Sequence, residues 1–168
     1  HAEGFLTYAN GDYSHAEGYL TTASGSSSHS EGASTTANGY ASHAEGGLTI
    51  ASGENSHAEG QNTIASGDYS HAEGFGEEKI NLAYGEGSHV EGMSNEAKGS
   101  ASHAEGILNT AIGEYSHAEG YCTLSFGEAS HAEGYGYLGP GFETSAIGVG
   151  SHAEGQSTAA HSNCSHTE

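Results

Sequence analysis

The sequence predicts an all-β protein: a parallel β-roll, a narrow solenoid of about twelve short rungs. Three observations predict it. A unit of 14 residues recurs along nearly the whole chain. Within each unit, two stretches alternate small residues with larger or polar ones, which is the period of a strand. Glycine returns every six to eight residues, too often for a helix and well placed for tight turns.

The unit is read from its histidines: His1, His15, His29, His43, His57, His71, His89, His103, His117, His131, His152 and His166. Their spacing is 14, except for 18 between His71 and His89 and 21 between His131 and His152. Glu follows each of them two residues later. Counted from the leading glycine, the unit reads G-x-x-S-H-A-E-G-x-x-T-x-A-x. Position 11 is Thr or Asn, as in Thr7, Thr21, Thr35, Thr49, Thr63, Asn95 and Thr123, and position 13 is Ala in every complete unit except at Ser125.

Each element follows from this pattern. In S-H-A-E-G one strand face carries Ser, Ala and Gly, and the other carries His and Glu. In x-T-x-A-x the small face carries Thr and Ala. Fourteen residues are too few for a helix–strand repeat, whose periods start near ~20 residues. They suit two short strands and two tight turns. Stacked units pair each strand with its copy at ~4.8 Å, so twelve rungs extend roughly 55 Å, with the small faces meeting inside.

Composition narrows the function. Of 168 residues, only Lys79 and Lys98 are basic against 22 carboxylates, a formal charge of −20 with neutral histidines. Such a surface repels phosphate, which argues against nucleic acid and anionic membranes as partners. No apolar run approaches the ~20 residues of a membrane span, and no signal-peptide pattern opens the chain. The chain starts and stops in mid-motif, and is expected to be one domain, 1–168, cut from a longer protein.

A coil lined by Ala, Ser and Thr buries little apolar area. The larger residues sit elsewhere: Phe5, Tyr19, Phe75, Met93, Ile107, Tyr121 and Tyr135 at position 9, Leu6, Leu20, Leu48 and Leu108 at position 10, and Tyr8, Ile50, Ile64, Leu82 and Leu124 at position 12. With small residues inside, these form outward stripes, and stripes of that length mark contacts. Several identical chains associated along their length are therefore expected.

The motif resembles the head repeats of trimeric autotransporter adhesins of the YadA type, whose 14-residue unit has the form S-V-A-I-G followed by a small-residue strand. The resemblance covers all 168 residues in period and small-residue positions. It implies a left-handed parallel β-roll, a homotrimer about a common axis, and an extracellular fibre presenting a binding surface. The family's two apolar positions, which face neighbouring chains, are His and Glu here, as at His117 and Glu119. SHAEG-type repeats are also similar to those of phage or prophage tail fibres.

This implies that His and Glu of every rung face another chain. The expected inter-chain ladder comprises His15 and Glu17, His29 and Glu31, His43 and Glu45, His57 and Glu59, His71 and Glu73, His89 and Glu91, His103 and Glu105, His117 and Glu119, His131 and Glu133, and His152 and Glu154. Carboxylates stacked at ~4.8 Å repel one another unless partnered, and a histidine donor, neutral or imidazolium, supplies the partner. Such polar pairs serve register more than raw stability. A competing reading takes His-x-Glu as ligands for zinc or another transition metal, though no residue is assigned to a metal and no cofactor is expected. Catalysis is not expected, because a catalytic site occurs once and in a shaped cleft. The Thr column raises an ice-binding solenoid as a further alternative.

The two interruptions add 4 and 7 residues, fewer than a rung, and should be loops near 75–80 and 135–143 on one edge of the roll. The second gathers Tyr135, Tyr137, Leu138 and Phe142 around Gly139-Pro140-Gly141, a candidate binding loop for a surface receptor, matrix protein or glycan. Cys122 and Cys164, three rungs apart, should lie beyond the ~7 Å Cα limit for a disulfide. The expected protein is an adhesive or structural fibre segment at a cell surface, outside the cell, or in a virion tail.

Overall fold

The computed structural model describes residues 1–77, 79–137 and 143–168. It is an all-β parallel solenoid, with no helix among the described residues. Each unit contributes one strand to each of two sheets. The first sheet has twelve strands, from Ala2–Phe5 and His15–Tyr19 to His152–Ala153 and His166–Thr167. The second has eleven, from Tyr8–Ala9 to Ala159–Ala160. The roll thus completes eleven turns and a closing strand.

Pairing is parallel and in register, so identical motif positions stack: His43 on His57 and Ala44 on Ala58 in the first sheet, Ala51 on Ala65 in the second. The core is a double column of methyl groups. Ala44, Ala58 and Ala72 of the first sheet and Ala37, Ala51 and Ala65 of the second are fully buried, and Val90 is the largest fully buried side chain. Between these columns the position-11 residues Thr21, Thr35, Thr49, Thr63, Asn81, Asn95, Asn109, Thr123 and Thr144 are buried as well. The Thr column is therefore interior and does not form the exposed rank that an ice-binding face requires.

Glycine allows the rungs to approach this closely. A Cβ on Gly53, at the leading-glycine column, would stand 1.9 Å from the Gly67 carbonyl oxygen of the next rung. The serine column closes the same corner: Ser56 donates from both its N–H, at 3.3 Å, and its Oγ, at 2.7 Å, to the Gly53 carbonyl.

Both interruptions fall at the other corner, between positions 10 and 11. The first lies between Gly76 and Asn81, and Asn81 pairs in register with Thr63. The second lies between Gly136 and Thr144, and Thr144 pairs with Thr123. The first sheet runs on undisturbed beside each of them, His71 on His89 and His131 on His152.

Candidate functional site

Alternation places the site. In His117–Tyr121 the Ala118 methyl points into the core, so His117 and Glu119 project together from the outer face. Register then stacks His on His. From His1 to His166 successive imidazole rings lie 4.7–5.0 Å apart and within 6° of parallel. The result is one unbroken column of rings flanked by a column of carboxylates.

The two columns bond across rungs within this one chain. His117 Nε2 donates to Glu105 and His131 Nε2 to Glu119, both at 3.0 Å. His152 donates to Glu133 at 3.1 Å, and His57 to Glu45 and His89 to Glu73 at 3.3 Å. At His43–Glu31 and His71–Glu59 the separation is 3.6 Å, and at His103–Glu91 it is 3.8 Å. His15 lies 3.8 Å from Glu17 of its own rung, and His166 stands 3.6 Å from Glu154. His29 stacks between His15 and His43. The sequence reading missed this direction of pairing, in which the glutamates from Glu31 to Glu154 reach the histidine of the following rung. Like the strands, it repeats every 14 residues.

The face is half-buried, with the side chains of His117 and Glu105 each 33% exposed in the single chain. Burial pushes the imidazoles of His43, His71 and His103 below the ordinary histidine value. Their stacked neighbours, His57 and His29 for His43, push the same way, and the flanking Glu45 and Glu31 only partly oppose it. At these rungs burial favours the neutral imidazole over the imidazolium ion. The Nε2 atoms of His15, His29, His43, His71 and His103 are buried without a hydrogen-bond partner.

Of the candidate binding loop, Tyr135 and Tyr137 are exposed, while Leu138 and Phe142 lie outside the described residues. Tyr121 stacks on Tyr135 at 4.9 Å, and Tyr135 meets Tyr137 edge-on at 5.4 Å. Gln156 Nε2 donates to the Tyr137 hydroxyl at 2.7 Å. Cys122, buried beneath, reaches the Tyr137 carbonyl at 3.4 Å, and burial pushes its thiol pKa up, with Glu143 adding to the effect. Both cysteines are free thiols, and Cys164 is exposed. Of the expected outward stripes, Phe5, Leu6, Tyr8, Tyr19, Leu20, Leu48 and Phe75 are exposed, whereas Ile50, Ile64, Leu82, Met93, Ile107, Leu108, Tyr121 and Leu124 are half-buried within the single chain.

A parallel β-solenoid with a 14-residue turn, an alanine core and one repeating outer face defines a structural repeat protein. More specifically, its repeat is a YadA-type β-roll repeat: residues 44–70 match the YadA head domain repeat in two copies. The turns on either side keep the same register. No curated protein matches the chain. The matched repeat is that of a structural, adhesin-like family.

Proposed function

We propose that this chain is a segment of an extracellular adhesive fibre in which three identical rolls associate along their His–Glu faces and present the aromatic corner outward. One observation carries the reading. The His–Glu face is continuous over the whole roll, and a single chain leaves it only half covered. A second chain would complete the burial of these half-exposed side chains. The ladder of His15–Glu17 through His152–Glu154 then fixes which layer meets which, where an apolar seam slides.

Light scattering on a size-exclusion peak tests the assembly. The expected molar mass is about three times the 17.0 kDa of one chain, and a monomer would sink the reading. The adhesive half rests on Tyr135 and Tyr137 at the second interruption. Removing residues 137–143 leaves a 14-residue unit joined from Gly136 to Thr144. The shortened chain should keep its strand signal and its mass yet lose attachment to host cells or matrix. Undiminished attachment would remove the loop from the function. A virion tail fibre uses the same surface on a bacterial receptor, and attachment to bacterial rather than host cells would mark that case.

A further inference from the structure

We propose that successive His–Glu–His triads of one chain bind divalent transition-metal ions, zinc foremost, in a row along the roll. In each triad one ligand atom per residue lies within 4.8 Å of the other two, as in His71, Glu73 and His89 and in His103, Glu105 and His117. Two imidazoles and a carboxylate form a donor set suited to zinc and to neighbouring late transition metals.

The geometry is already close on one edge of each triad. Bonds of ~2.0–2.1 Å to a tetrahedral zinc place its ligand atoms about 3.3 Å apart. Glu73 and His89 stand 3.3 Å apart, and Glu105 and His117 stand 3.0 Å apart. The remaining imidazole is stacked one rung away and must turn on its side-chain bonds to close the site. The Nε2 atoms of His71 and His103, the lower members of these triads, are buried and make no hydrogen bond. A metal ion satisfies them; at His89 and His117 it replaces the hydrogen bonds to Glu73 and Glu105, the ring proton moving from Nε2 to Nδ1 as Nε2 binds the ion. Water or a neighbouring carboxylate supplies the fourth ligand.

Charge points the same way. The chain carries −20 with only two lysines, and a carboxylate recurs at every rung beside the column of imidazoles. Cations bound between rungs relieve that repulsion without protonating the rings.

Sharing sets the stoichiometry. His117 belongs both to the triad with Glu105 and to the one with Glu119 and His131, and its single Nε2 lone pair serves one ion. At most one ion is held per two rungs, so twelve motif histidines accommodate no more than six ions per chain. Every triad comes from one chain, so the site goes beyond the trimer reading and stands even if the mass is that of a monomer.

The test is equilibrium dialysis of the tag-free, EDTA-stripped protein against zinc near pH ~7.5, where histidine is neutral, with bound metal counted by mass spectrometry. Several zinc ions per chain, never above six, are expected. A variant with Glu→Gln at 73, 91, 105, 119 and 133 keeps side-chain shape and hydrogen bonding and should lose about three of those ions. Less than one ion per chain would overturn the proposal, as would an undiminished count in the folded variant, which would locate zinc elsewhere. If the variant does not fold, X-ray absorption on the zinc-loaded natural chain decides. Imidazole nitrogen with one or two oxygens at ~2.0 Å supports the triads, and a sulfur or all-oxygen shell overturns them.

Discussion

At the scale of single residues, the solenoid depends on what the glycines lack. Gly46 ends its SHAEG with φ near +99°, and a Cβ there would sit 2.1 Å from the backbone oxygen of Gly60. Neither clash nor conformation can relax without parting two rungs. Gly46→Ala is therefore expected to destabilise the roll by on the order of 3 kcal/mol, read as a lower thermal midpoint by circular dichroism; an unchanged midpoint would mean the rungs are not stacked this closely. The remaining corner residues follow a subtler rule. Leu48 and Asn55 hold φ of 57° and 53°, and Ala41 and Ala101 hold 50°. Left-handed backbone costs an ordinary residue about 1–2 kcal/mol. It is offset because the freed N–H bonds to the rung before, Leu48 to the Ala33 carbonyl at 2.9 Å and Asn55 to Tyr40 at 2.8 Å. Glycine takes the Asn55 column only at Gly87 and Gly150 among the described residues, and so the letters barely show it.

At the scale of elements, the second sheet contains a polar spine that the reading of position 11 as "Thr or Asn" left without a reason. Asn81, Asn95 and Asn109 stack in consecutive rungs directly after the first interruption. Asn95 accepts the Asn109 N–H at 2.7 Å, and its Nδ2 donates to Glu91 and Gly106 carbonyls at 2.6 and 2.8 Å. Its own N–H donates to Asn81 Oδ1 at 2.7 Å. Asn109 continues upward, accepting from both the N–H and the hydroxyl of Thr123. Asn95→Ala strands these buried groups and should cost on the order of 3 kcal/mol. Asn95→Thr should cost clearly less, since Thr63 and Thr123 fill the same column. Urea unfolding of both variants checks the order, and equal losses would mean that volume rather than hydrogen bonding matters there. What was legible here was periodic. The small faces, the strand pairing and the inward Thr column follow from alternation and from identical letters every 14 residues. The rung-to-rung pairing of Glu105 with His117 was not legible, because it depends on side-chain reach across a 4.8 Å step and not on spacing within one strand.

For the whole molecule, the His–Glu face links stability to pH, and the sign follows from which form the fold prefers. His43, His71 and His103 have folded values below the ordinary 6.5 that they regain on unfolding. Burial is the main cause. The stacked pairs His29 and His57, His57 and His89, and His89 and His117 reinforce it, while Glu31 and Glu45, Glu59 and Glu73, and Glu91 and Glu105 oppose it. Just below pH 6.5 the unfolded chain therefore binds more protons than the folded one, so stability rises with pH across that window. The contribution is full above 6.5 and is lost as acid carries the pH down through the lowered folded values. In a chelating buffer that removes metal, the melting temperature is expected to climb between about pH 5 and 7 and then level off. Replacing His43, His71 and His103 with Gln should flatten that climb while leaving the plateau similar. A melting temperature that instead increases on acidification would mean that the carboxylates win, that the ladder is made of imidazolium–glutamate pairs, and that the neutral column of rings described here is the wrong charge state for the fibre.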